Sequence, residues 1–247
     1  MEKSTRLTPV HVFSTPEELG AHVATSILER VARVRGRRFL LGCPTGRTPR
    51  PIYHALARGA DLSNVVLVMM DEYLVDGQYA SAPWSCHAFV RQHITFDVGA
   101  IWFPDPADPP AYDARIADAG GIDLFLLASG ASDGHVAFNA PGSPRSSRTR
   151  IVPLSETTRR DNLQTSPSFG SLANVPRHGI SVGIDTIASA REAVMAVWGA
   201  SKRLTLQRLL QTDHYDPQWP ATVIHECPNG EIVCDAEAMS PSKADGI

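Results

Sequence analysis

Several features that would assign a protein at first glance are absent from this chain. The four cysteines, Cys43, Cys86, Cys227 and Cys234, stand at no CxxC spacing, so no Cys/His zinc cluster is written in the sequence. The N-terminus, MEKSTRLTPVHVF, lacks the apolar core of a secretory signal, and reduced thiols are expected rather than a disulfide frame. No apolar run approaches the roughly 18 residues that suggest a membrane span. There is no excess of positive charge: a net charge of -3 offers no global field for nucleic acid or an anionic membrane. Repeats, heptads and low-complexity blocks are missing. So are the GK[ST] ending of a Walker A loop and the GxGxxG of a dinucleotide fold. These absences leave the expectation of a cytoplasmic protein with no membrane or nucleic-acid partner.

What is present is ordinary for a soluble globular protein: 43% hydrophobic and 20% charged residues over 247 positions. A chain of this size buries about 70–75% of its unfolded surface. Residues 1–247 are read as a single domain, because Pro104 to Pro110 (PDPADPP), the clearest loop, is too short for a linker. A polar tail is read from Met239. Helix and strand patterns alternate. Leu19, Val23, Ile27, Val31 and Val34 recur at helical spacing, with Thr15 as cap, Pro16 in the first turn and Glu18 three residues after the cap. Helices are also predicted around Pro51–Arg58 and from Lys202 to Gln211. Short apolar runs occur at Phe39–Gly42, Val65–Met70, Ile122–Ala128, Gly179–Val182, Ala193–Val197, Ala221–Ile224 and Ile232–Cys234. Continuously apolar strands separated by helices predict an α/β fold, a mostly parallel sheet with helices on both faces. Ligands of such sheets sit beyond the carboxyl ends of the strands.

Five sets of residues follow those ends. Thr45-Gly46-Arg47-Thr48 lies between a strand and a helix, where backbone N–H groups and a guanidinium suit a phosphate; an ordinary Thr-capped turn reads equally from the local sequence. Asp71-Glu72 follows VVLVMM, where a carboxylate can act as a general base or cap a following helix. Asp133-Gly134-His135 pairs an imidazole that titrates near neutrality with a carboxylate able to orient it; a turn with a surface histidine is the plainer reading. Arg145, Arg148, Arg150, Arg159 and Arg160 form a cluster that suits a phosphate, an acidic effector or simply a solvated face. Lys202 lies near a helix start, where a cation is unfavourable unless an anion joins it.

Taken together, and in order from about Phe39 to Ala236, the segments LGCPTGRTPRPIYHAL, VVLVMMDEYL, GIDLFLLASGASDGHVAFNAPGS, SSRTRIVPLSETTR, VPRHGISVGIDTIASAREAVMAVWGASK and IVCD resemble the glucosamine-6-phosphate deaminase (isomerase) family, relatives of the 6-phosphogluconolactonases. The resemblance implies a modified Rossmann-like fold and a reaction without metal or cofactor, in which an aldose amino-sugar phosphate becomes a ketose phosphate and ammonia. It implies that Asp71 is the base moving a proton between C2 and C1. It implies that His135 assists ring opening with Asp133 in support, and that Thr45, Gly46, Arg47, Thr48 and Lys202 bind the phosphate. Such folds often assemble, so a homo-oligomer is compatible with this reading.

Three departures accompany the resemblance. The family's Phe-Asn-Glu is here Phe138-Asn139-Ala140, which removes a glutamate from the ring-opening group. The loop before Asp133 is one residue longer. A family arginine that binds the sugar phosphate falls near Gln164, and Arg47, where the family has a small residue, is expected to compensate. Arg148 and Arg150 are the visible part of the family's effector site. A lactonase, with the histidine activating water, and a sugar-phosphate-binding protein without catalysis remain as alternatives.

Overall fold

The computed structural model describes residues 7–59 and 61–240. Eleven strands are assigned: β1 Val10–Phe13, β2 Phe39–Cys43, β3 Leu62–Met69, β4 Asp71–Val75, β5 Gln78–Tyr79, β6 Val98–Trp102, β7 Leu124–Ala128, β8 Arg150–Pro153, β9 His178–Ser181, β10 Glu192–Val197 and β11 Gly230–Asp235. The α-helices are α1 Pro16–Arg33, α2 Arg50–Leu56, α3 Cys86–His93, α4 Pro109–Asp118, α5 Glu156–Thr165, α6 Ile184–Ala188, α7 Arg203–Leu210 and α8 Ala236–Met239.

Seven strands form one sheet in the order β1-β11-β10-β7-β2-β3-β6, and every neighbouring pair is parallel. Successive strand residues face opposite sides, so a strand covered on both faces must be apolar throughout. β3 shows this directly. Val66 and Val68 join a core with α4, α6 and α7, while Val65, Leu67 and Met69 join one with α1, α2 and α3. All five are fully buried, each contributing about 1.5–3 kcal/mol of transfer free energy. α1 begins where the sequence predicts. The Thr15 side chain accepts from Glu18 N at 3.2 Å, and the Glu18 carboxylate accepts from Ser14 N at 3.0 Å.

The structure departs from the sequence reading in four places. First, Asp71–Val75 neither ends the chain's extended path nor caps an immediately following helix. It is a strand, β4, in a second, antiparallel sheet ordered β5-β4-β9-β8. β9, predicted among the strands of the parallel sheet, belongs here too, because pairing partners so distant in sequence leave no local signal. Tyr73, Phe138, Val152, Phe169 and Val175 form its own small core. Second, Ala221–Ile224 lies in a 3₁₀ segment, Pro220–Glu226, rather than a strand. Pro220 has no N–H for a ladder, and β11 is already paired on both sides. Third, Pro109 and Pro110 are not loop but the first turn of α4, capped by Asp108, where a missing N–H costs nothing. Fourth, Lys202 closes a 3₁₀ turn and stands before α7 rather than inside it. The polar tail lies, from 241 onward, outside the described residues.

Candidate active site

A cavity of about 530 Å³ opens beyond the carboxyl ends of β2, β3, β7 and β10. Thr45, Gly46, Arg47, Thr48, Asp71, His135 and Lys202 all line it. Asp133 stands directly behind His135. The eight residues to which the resemblance gives a role are thus brought together.

Asp71 sits where the chain leaves the parallel sheet for the antiparallel one: Met70 N donates to Cys43 O, Val182 N donates to Met70 O, and Asp71 pairs with Ser181. It is only 6% exposed. Burial pushes its carboxyl up, to about 7; the Cys86 thiol opposes the rise and the neighbouring Glu72 charge adds to it. Cys86 Sγ lies 3.4 Å from Asp71 Oδ1 and 3.4 Å from Thr45 Oγ1. Burial, with the charges of Glu72 and Asp71, holds that thiol well above its ordinary range, so the S–H donates to the carboxylate.

Glu72 has a different task. It is fully buried, and accepts from Tyr73 N, Cys86 N and His87 N at 2.7–2.9 Å and meets His87 Nδ1 at 2.6 Å. It therefore satisfies the first N–H groups of α3, and the capping role holds for this residue on a helix fourteen residues away.

At the other end, His135 Nδ1 meets Asp133 Oδ1 at 2.6 Å. The same oxygen accepts from His135 N at 3.1 Å, and Oδ2 accepts from Thr158 Oγ1 at 2.8 Å. Burial alone would raise the Asp133 carboxyl, but the His135 ring and N–H and the Thr158 hydroxyl reverse this and leave it at about 2. A carboxylate on Nδ1 fixes the ring and leaves Nε2 for the cavity. The loop needs two glycines to reach this geometry. A Cβ at Gly130 would overlap the His135 ring, and Gly134 has φ +65 with the Trp219 ring where its side chain would go.

The loop after β2 is pinned from behind. Tyr53 Oη donates to Pro44 O at 2.8 Å, and Trp198 Nε1 donates to Thr48 O at 2.8 Å. The Arg47 guanidinium lies 4.6 Å over the Trp198 ring and donates to Ser201 Oγ at 3.3 Å. The turn carrying Lys202 is held by Asp235, which accepts from Gly199 N at 3.0 Å and Ala238 N at 2.8 Å. Lys202 Nζ donates to Ser129 O. Burial lowers this ammonium to about 8, helped by Arg47 and opposed by Asp161 and Asp133.

Asp133, His135 and Asp161 present their polar atoms within 4.8 Å of one another, a donor set with the chemistry to meet a divalent cation. Their present contacts are hydrogen bonds: Asp133 to His135 and Thr158, Asp161 to Ser132.

The arginine cluster divides. Arg145 pairs with Asp185 and Glu226, Arg148 with Asp185 and Asp113, and Arg160 with Glu156. Arg159 donates to the carbonyls of Leu172 and Val175. These are structural ties; none of the five arginines lines the cavity. Four functional neighbours were not singled out in the sequence: Cys86, Ser132, Thr158 and Asp161. For the last two a signal was available. Ser155, Thr158 and Asp161 recur every third residue, the spacing of one helix face.

Comparisons with known proteins identify the family. The family described as glucosamine-6-phosphate isomerases/6-phosphogluconolactonase matches residues 14–234. A glucosamine-6-phosphate deaminase of Shouchella clausii is 34% identical over 239 residues, covering 91% of this chain and 93% of the relative. One from Rhodopirellula baltica is 35% identical, covering 94% of each. Among solved structures, a monomeric glucosamine-6-phosphate deaminase superposes with a TM-score of 0.82 at 27% identity, over 94% of this chain and 98% of that one. A 6-phosphogluconolactonase from Shewanella baltica, at 18% identity, shares the fold with a TM-score of 0.68 over 93% of this chain and 98% of that one. The fold is the modified Rossmann-like α/β arrangement, and the chain belongs to the glucosamine-6-phosphate isomerase/6-phosphogluconolactonase family.

Proposed function

We propose that the protein is an isomerising deaminase that converts an amino-sugar phosphate, glucosamine 6-phosphate or a close relative, to a ketose phosphate and ammonia. The single observation that carries this reading is the pairing, across one cavity, of a carboxyl raised to about 7 with a carboxylate-held imidazole. An aldose–ketose shift needs a base that both takes and returns a proton near neutral pH, which a carboxyl with an ordinary pKa does poorly.

In this mechanism the phosphate binds at Thr45, Gly46 and Thr48, with Arg47 and Lys202 supplying positive charge. His135, oriented by Asp133, moves the proton between the anomeric and ring oxygens and opens the sugar. Asp71 then removes the C2 proton and returns it to C1. The C2 imine so formed takes up water and expels ammonia, leaving the ketone. The Cys86 thiol steadies the Asp71 carboxylate. The four cysteines are free and buried, which agrees with a reducing, cytoplasmic setting, and no helix among the described residues is long and apolar enough to cross a membrane.

The test is ammonia release and ketose phosphate formation from a panel of hexosamine 6-phosphates, with wild type beside Asp71→Asn. Turnover that vanishes in the variant is the expected result. Hydrolysis of a sugar lactone without any ammonia release would instead favour the lactonase reading.

A further inference from the structure

α5 brings into the cavity an acid for which the mechanism above has no use. Asp161 is 6% exposed and lines the cavity. Its carboxylate accepts from Ser132 N at 2.9 Å and from Ser132 Oγ at 2.5 Å. Ser132 lies in the loop that is one residue longer than the family pattern. Among the described residues no lysine, arginine or histidine nitrogen comes within the 4.0 Å of an ion pair with Asp161. A buried carboxylate with two hydrogen bonds and no directly paired cation is costly unless something completes its shell. The open direction is the cavity.

The charges around that cavity are divided. Arg47, Arg50 and Lys202 supply cations, and the Asp161 charge acts to raise the Lys202 ammonium. α5 supplies none: its lining residues are Asp161, Asn162, Gln164 and Thr165. An anionic group alone would gain from the cations and be repelled by Asp161. A ligand carrying a phosphate at one end and a protonated amine elsewhere satisfies both.

We propose that Asp161 is a specificity residue that receives the ammonium group of an amino-sugar phosphate and so selects it over the corresponding neutral sugar phosphate. This rests on the deaminase reading above. A hydroxyl in place of the ammonium would also reach the carboxylate, but without charge the bond is roughly half as strong.

The experiment is calorimetric titration of the full chain with glucosamine 6-phosphate and with glucose 6-phosphate, in an Asp71→Asn background so that ligand is not consumed. Adding Asp161→Asn is expected to weaken the amino sugar by about 10-fold or more and to leave glucose 6-phosphate within about 2-fold. Asp161→Glu should recover part of the preference. Ser132→Ala, which keeps the charge and removes one donor, should retain it; Asp161→Ala serves if the asparagine variant does not fold. Equal weakening of both sugars, no change in either, or loss of the preference in Ser132→Ala would overturn the role of Asp161. Absence of binding and of ammonia release from every hexosamine 6-phosphate with the wild-type chain would overturn the deaminase reading, and this inference with it. Ammonia release by wild type with an unchanged preference in Asp161→Asn would overturn this inference alone.

Discussion

Two aspartates share one cavity and are driven in opposite directions. Asp71 and Asp133 are nearly equally buried, at 6% and 8% exposure, yet one carboxyl is raised to about 7 and the other lowered to about 2. Burial penalises both charges, and more heavily at Asp71, whose carboxyl is the more deeply enclosed. The donors then drive the two further apart. Asp133 accepts from an imidazole, a backbone N–H and a hydroxyl, whereas the one side-chain donor on Asp71 is a thiol at 3.4 Å, and Glu72 adds a like charge beside it. A generously solvated carboxylate is an orienting group; a poorly solvated one is a base.

Substitutions can break this contrast. The largest effect is expected at Asp71: asparagine should lower kcat by about 10²–10⁴-fold, the range of a lost acid–base group, while ligand binding persists. Asp133→Asn should follow, with a loss of about 10²-fold as the ring loses its orientation. Assays of the two variants side by side would check the ranking.

Stability should reveal the same contrast with opposite signs. The folded pKa of Asp71 lies above an unfolded value of about 3.9, so its contribution is fully present below about pH 4 and is lost as pH rises through about 7. Asp71→Asn should therefore stabilise the protein at pH 8, by on the order of 2–4 kcal/mol, with the difference fading below about pH 4. For Asp133 the folded pKa is depressed, so its contribution is present above about pH 4 and is lost as pH falls towards about 2. Asp133→Asn should cost about 2 kcal/mol at pH 7. Denaturant titrations at about pH 2, 4 and 8 would measure both.

Smaller effects sharpen the comparison. Cys86→Ala removes the donor that opposes the rise at Asp71, so the acid limb of kcat should move upward by a fraction of a pH unit; Cys86→Ser, a better donor, should move it down. Arg47→Ala should raise KM for the phosphorylated substrate by about 10-fold with kcat little changed, because a charge-assisted contact is worth about 1.5–3 kcal/mol. An unchanged KM would remove Arg47 from the phosphate site.

The parallel sheet was legible because its signals are local, whereas the site was legible only from its motifs taken together. VVLVMM must be covered on both faces, and the residue after it must stand at a strand end. The antiparallel sheet was not legible, since β4 meets β9 across more than a hundred residues and its alternation is short. The local sequence did not divide the roles of Asp71 and Glu72, which only the resemblance separated, because a single residue step turns one carboxylate to the cavity and the other under α3. Asp161 escaped for a related reason. Its spacing with Thr158 marks a helix face, but that this face meets the cavity shows only when the loop before Asp133 places Ser132 against it.

The central claim is that Asp71 carries the proton between C2 and C1. Substrate labelled with deuterium at C2 tests it most directly, by following label at C1 of the ketose and in solvent. Wild type should transfer or exchange the label, and Asp71→Asn, still binding the sugar, should leave it at C2. Loss of the label from C2 in Asp71→Asn at the wild-type rate would contradict the account.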